Sequence, residues 1–262
     1  PSARVGPYGF PSTVSAEEMQ QITQEITQKQ IDSVAVCFLF SYQDATNEQK
    51  VKNYLKNTLS IPVKISSEVL PEIREYERTA ATVIDAYLTP VMNSYLETLA
   101  QPFRDWGITA PTSIKSDGGV ARLESAQSRP ITTIMSGPAA GVVGARSTAK
   151  SESDSIATKS FISLDMGGTS TDVSYLDRGE ITRTTDATVG EQPVAISVVD
   201  IETVGAGGGS VAWVDSGGAL RVGPDSAGAV PGPACYDRGG TDATVTDAAL
   251  LKGFLADNAT LG

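Results

Sequence analysis

SLDMGGTSTDVSYLDRG, residues 163–179, is patterned as a strand ending at Asp165, a Gly-Gly-Thr-Ser-Thr turn, and a second strand that begins at Asp172. Gly167 and Gly168 lack side chains, so the backbone there can approach an anion closely and aim several amide donors at it. Thr169, Ser170 and Thr171 add hydroxyl donors. Asp165, at the strand end, is placed to hold a hydrated magnesium ion, which prefers a few carboxylates, water and phosphate oxygens to a closed protein cage. Asp165 and Asp172, flanking the turn, are the candidate catalytic carboxylates. A plain hairpin turn would use the same Gly-Gly-Thr letters. A P-loop is excluded, because no GxxxxGK[ST] string occurs and the element after the turn is a strand instead of a helix.

Working outward, SGPAAGVVGA (136–145) predicts a tight turn feeding a helix of small residues, with Pro138, Ala139, Gly141 and Gly144 allowing close packing. A Ser/Asp/Lys-rich linker is expected at 149–159. From 160 to about 200 the strings FISLDM, DVSYLD, EITRTTDA and PVAISVVDI predict an antiparallel meander broken by Gly and charged turns. GAGGGS (205–210) reads either as a second Gly-rich cradle, through Gly207, Gly208 and Gly209, or as a turn entering the strand SVAWVD; the rest is expected to be loop. Toward the amino terminus, residues 13–29 predict a helix with Ser15 and Glu18 at capping-box spacing. The run IDSVAVCFLF, a charged helix near 45–58 and a strand at 61–66 make a parallel strand–helix–strand unit. Residues 72–105 carry helical periodicity, with a break expected at Pro90, and TSIKSDGG (112–119) through ITTIM (131–135) read as short strands. No fixed-period repeat is present. The expected division is an α/β segment with long helices over 1–135, part of a first lobe, and a phosphate-loop segment over 136–262.

The 262 residues are 40% hydrophobic and 19% charged, a profile that excludes a disordered chain. A net charge of −11 argues against a nucleic-acid or anionic-membrane partner. The apolar runs are too short to cross a bilayer, and a cytoplasmic location is expected. With two cysteines, Cys37 and Cys235, neither a disulfide framework nor a cysteine zinc cage is suggested. There is no histidine, so the commonest general base and metal ligand is missing; chemistry must use carboxylates, hydroxyls, lysine, backbone amides or a borrowed metal.

A strand–turn–strand phosphate loop preceded by a small-residue helix resembles the second phosphate loop of the actin, sugar-kinase and heat-shock-chaperone superfamily. The strings SSEVLPEIREYERTAATVIDAYL (66–88), SDGGV (116–120), VGAGGGSVAWVDSGGALRVGPDSAGAVPGPACYDRGG (204–240) and TVTDAAL (244–250), with DMGGTSTDV, resemble the hydantoinase A, 5-oxoprolinase and acetone carboxylase β-subunit family. The resemblance implies an α/β, actin-like ATPase (ribonuclease H-like) fold with mixed sheets and flanking helices. It implies ATP and Mg2+ as cofactors, and ATP-dependent ring opening of a cyclic amide or imide such as 5-oxoproline or a hydantoin. A family B-type subunit or domain is the implied partner, and a homo-oligomer is compatible. Alternatives are an acetone carboxylase-type subunit and a non-enzymatic nucleotide switch. Arg74 and Arg78, four apart, become candidates for substrate contact, as does Asp247. The family pattern also includes a first phosphate loop and an adenosine-binding Gly-Gly-Ala-Gly-Pro stretch. Both are absent here, so the expectation is of a central fragment that is inactive alone and binds ATP weakly or not at all.

Overall fold

The computed structural model describes residues 14–152, 159–190 and 192–256. The chain divides into two compact units, one of residues 1–140 with 183–199, the other of 141–182 with 200–262. The expected cut lies at 135/136; by packing, the chain divides at 140/141 and residues 183–199 group with the first unit.

Helix α1, Ala16–Gln28, starts as predicted: the Ser15 hydroxyl accepts from the Glu18 amide and the Glu18 carboxylate from the Ser15 amide. Strand β1 (Val34–Val36), helix α2 (Thr46–Thr58) and strand β2 (Val63–Ile65) form the expected parallel unit, with Val34 opposite Val63. Val36, Val51, Leu55, Val63 and Ile65 make its core, and Met19, Ile22 and Ile26 of α1 pack against it. The strand is shorter than IDSVAVCFLF predicted. The buried Glu48 carboxylate takes the amides of Phe38 and Ser67 and the Ser66 hydroxyl, and Phe40 turns the chain at φ 59°.

A short helix α3 (Ser66–Val69) leads to α4, Glu75–Asp105. The break expected at Pro90 does not occur; α4 runs through both Pro90 and Pro102. Proline removes one donor, but a helix packed on both sides of it retains the others. Ala81, Ala86 and Leu96 are buried along it, and the Thr89 hydroxyl donates to the Asp85 carbonyl.

Strands β3 (Thr112–Ile114) and β4 (Val120–Arg122) form a hairpin, followed by α5, Leu123–Ser128. ITTIM is not a strand: Pro130–Thr133 is a 3-10 turn. The reason is local, since the hydroxyls of Thr132 and Thr133 donate to the carbonyls of Arg129 and Pro130 and compete with a ladder. The Asp85 carboxylate also captures the Ile131 amide at 2.9 Å.

Helix α6 spans Ser136–Glu152; the remainder of the expected linker lies mostly outside the described residues. In the second unit β5 (Phe161–Met166) and β6 (Thr171–Asp177) pair antiparallel, and β7 (Glu180–Ile181) returns on β6 through Arg178 and Gly179, both at positive φ. Arg146 of α6 clamps that turn, with Nε on the Gly179 carbonyl at 2.7 Å.

The expected single meander is instead split. In the first unit β8 (Arg183–Thr184) pairs with β11 (Val198–Val199), and β9 (Ala187–Val189) with β10 (Gln192–Val194). Val194, Ile196 and Val198 enter a core with Val69, Leu70, Ala81 and Ile131. Back in the second unit β12 (Glu202–Val204) adds to the other edge of β6, giving the order β12-β6-β5. The region expected to be loop contains a hairpin, β13 (Ser210–Val214) with β14 (Leu220–Ser226), and a capped helix α7, Val245–Leu251. No helix among the described residues is long and apolar enough to cross a membrane.

Candidate functional site

Asp165 and Asp172 are direct cross-strand partners in β5 and β6, and Asp172 faces Thr203 of β12 in the same way. Opposed residues of an antiparallel sheet project from one face with β-carbons about 4.5–5.5 Å apart, and like charges so placed repel. The Thr203 hydroxyl donates to Asp172 at 2.7 Å, while the exposed Asp165 carboxylate has no such neighbour among the described residues. A cation bridging the two carboxylates would relieve the repulsion, and an ion that keeps much of its water needs no third protein carboxylate. Helix α6 also approaches closely: a β-carbon on Gly141 would lie 2.9 Å from Asp165 Oδ2. Gly144, expected to serve close packing too, faces open space.

The turn between the strands is closed by the Gly167 amide donating to the Ser170 carbonyl at 2.9 Å. The amides of Gly168, Thr169 and Ser170 donate to no protein group among the described residues, and Gly167 to Thr169 are exposed. The row of carboxylates thus ends beside a run of three unclaimed donors, the arrangement that makes an anion nest.

Gly207, Gly208 and Gly209 lie against this turn, but not as a second cradle. Their amides are taken by the Ser210 hydroxyl, the Gly167 carbonyl at 2.9 Å and the Gly168 carbonyl at 2.6 Å. A β-carbon on Gly207 would meet the Ser170 amide nitrogen and Thr169 carbonyl carbon at 2.7 Å. The glycines are therefore required by close backbone approach, and the loop acts as a backing for the turn. Thr171 Oγ1 donates to the Ala206 carbonyl, and the amide and hydroxyl of Thr246 both donate to the Gly208 carbonyl, so α7 braces the backing loop in turn. Sequence patterns alone did not single out Thr203, Ala206 and Thr246.

Of the three substrate candidates, Arg74 and Arg78 are not drawn together. Arg74 caps α4 at φ 78°, off the helix, and pairs with Glu77 in solvent, while Arg78 is fully buried. The Arg78 guanidinium donates to Ser41 Oγ at 2.8 Å and to the Phe38 carbonyl at 2.7 Å, and lies over the Tyr42 ring. Its role is to tie α4 to the turn after β1. Asp247 closes the α7 capping box, accepting from the Thr244 amide and hydroxyl and from the Cys235 amide. Desolvation opposes its ionisation, but hydrogen bonds from Cys235 and Thr244 prevail and bring the carboxyl to about 2. The Cys235 thiol is pushed up by desolvation and by its hydrogen bond to Asp247, which suits a structural cysteine.

The family model for hydantoinase/oxoprolinase matches residues 78–261, and that for the hydantoinase/oxoprolinase N-terminal region matches residues 5–59. This chain belongs to the hydantoinase/oxoprolinase family. Within the family it is 39% identical to the caprolactamase subunit alpha of Pseudomonas jessenii, over 90% of this chain and 34% of that one. It is 39% identical to the 5-oxoprolinase of Saccharomyces cerevisiae, over 86% of this chain and 17% of that protein. The crystal structure of the ATP-dependent caprolactamase superposes with a TM-score of 0.76 at 34% identity, covering 97% of this chain and 36% of the other. The nucleotide-free structure of acetone carboxylase, an ATP-dependent enzyme, gives 0.74 at 25% identity with the same coverages. The chain thus spans about a third of the caprolactamase subunit's length, and less of the oxoprolinase's.

Proposed function

We propose that this chain supplies part of the ATP-binding module of an enzyme that opens a cyclic amide or imide, such as 5-oxoproline or a hydantoin. The observation that carries the proposal is the meeting of three unclaimed amides, at Gly168 to Ser170, with the Asp165–Asp172 pair across β5 and β6. The amides and the hydroxyls of Thr169 and Ser170 would hold phosphate oxygens, and Asp165, with Asp172, would hold Mg2+ through water. Magnesium, when bound, neutralises charge on the phosphates. The protein's own part is positioning, which is most of what phosphoryl transfer asks of it. The actin-like, ribonuclease H-like fold belongs to the same proposal, supported by the strand–turn–strand element and by Gly141 of α6 behind Asp165. Relatives named as subunits support a partner subunit.

The likeness to acetone carboxylase favours a second reading, ATP-dependent carboxylation. Turnover separates the readings: ATP hydrolysis stimulated by 5-oxoproline or a hydantoin supports ring opening, and ATP consumption dependent on bicarbonate and acetone supports carboxylation. Turnover indifferent to all of these supports a nucleotide switch. The site itself is tested by nuclear magnetic resonance on this chain. Mg-ATP is expected to shift the Gly168–Ser170 amides more than ATP with chelator does, and Asp165→Asn is expected to abolish the difference. Unmoved amides would refute the phosphate loop.

A further inference from the structure

The first unit holds a cavity of about 260 Å³ whose wall includes Glu72, Lys115, Asp117 and Arg129. Two of these charges cancel. Lys115 Nζ donates to Asp117 Oδ2 at 2.8 Å, and Asp117 also accepts from the Gly119 amide. The other two stand alone among the described residues: the Arg129 guanidinium makes no hydrogen bond or ion pair, with its Nε buried, and the Glu72 carboxylate has no partner. Arg129 is fixed at its root, since its carbonyl accepts from the amide and hydroxyl of Thr132 just beyond Pro130. A buried donor on a charged group left without an acceptor is costly, and a guanidinium presents a planar fork that matches a carboxylate. Thr185 and Ser197 add hydroxyls to the same wall.

We propose that this cavity binds a small zwitterion, its carboxylate held by the Arg129 fork and its ammonium group facing Glu72. The site uses none of the residues of the 165–172 turn and does not depend on the nucleotide reading. A phosphate dianion fits less well, because the unpaired Glu72 places negative charge in the wall.

The test is a titration of the isotope-labelled chain, followed at the Ala195 and Ile196 amides. The probes are glycine, β-alanine and γ-aminobutyrate, which step the charge separation, with acetate and inorganic phosphate as controls. At least one zwitterion is expected to give a saturable shift, with acetate at least about tenfold weaker, the scale of one charge-assisted hydrogen bond. Glu72→Gln is expected to bring that zwitterion down to acetate's affinity while leaving acetate unchanged. Arg129→Lys keeps the charge but not the fork and is expected to weaken both at least about tenfold. Should that variant unfold, Glu72→Gln, at an exposed loop position, decides alone. The proposal is overturned by no saturable response to any zwitterion, by phosphate binding as tightly as the best of them, or by zwitterion affinity untouched in either folded variant.

Discussion

Gly207→Ala isolates the contact on which the turn at 167–170 rests. The backbone of Gly207 is not in the left-handed region, so alanine brings no conformational penalty of its own. Its methyl, however, would sit 2.7 Å from the Ser170 nitrogen and the Thr169 carbonyl carbon and 2.8 Å from the Gly167 carbonyl oxygen, all main-chain atoms that cannot rotate away. Overpacking of this kind costs about 1–3 kcal/mol. Pushing the loops apart also stretches the Gly208-to-Gly167 and Gly209-to-Gly168 hydrogen bonds, each worth about 0.5–1.5 kcal/mol. We expect a loss of about 2–6 kcal/mol, a large share of a typical domain's stability. Urea unfolding followed by Trp213 fluorescence, in a Trp106→Phe background, reports on the hairpin that leaves this loop. Gly168→Ala is the control, because nothing lies within 4 Å of its β-carbon position. Equal stabilities for the two variants would refute the argument that main-chain packing shapes the turn.

Removing one partner of the buried Asp85–Lys64 ion pair, 3.0 Å apart, should destabilise the first unit: Asp85→Ala by about 3–5 kcal/mol and Asp85→Asn by less, since it can still accept from Ile131, measured by urea unfolding. The Asp247 carboxyl, lowered to about 2, contributes stability that is full above the ordinary carboxylate range near 3.9 and is lost as pH falls through about 2. The stability gap between the unmodified chain and Asp247→Ala should therefore be about 1 kcal/mol near neutrality and close toward pH 2. A gap constant with pH would show that the charge on Asp247 is irrelevant to the α7 cap.

Where a local rule and tertiary packing agree, the sequence was a sufficient guide. Ser15 and Glu18 cap α1 as their spacing predicts, and the two strands flanking the Gly-Gly turn form, each running one residue further into the turn than predicted, to Met166 and from Thr171. What escaped is what depends on distant segments. Thr203 joins the carboxylate row only through the register of β12 on β6, which no string near 203 encodes. The three glycines at 207–209 leave a cradle and a turn both open because glycine frees amides, yet here the Gly208 and Gly209 amides are consumed by the neighbouring turn and that of Gly207 by the Ser210 hydroxyl. Arg78 shares a helical spacing with Arg74, but the helix starts at Glu75, and an uncapped guanidinium acceptor set at Phe38 and Ser41 drew it inward. ITTIM has strand composition, and two threonine hydroxyls turned it instead.

Because the turn at 167–170 is held mostly by main chain against main chain, its shape owes little to the letters at 169 and 170. On the nucleotide reading proposed above, drift at those positions would retune affinity while the mould stays intact, and a directed library there should return folded proteins at high frequency.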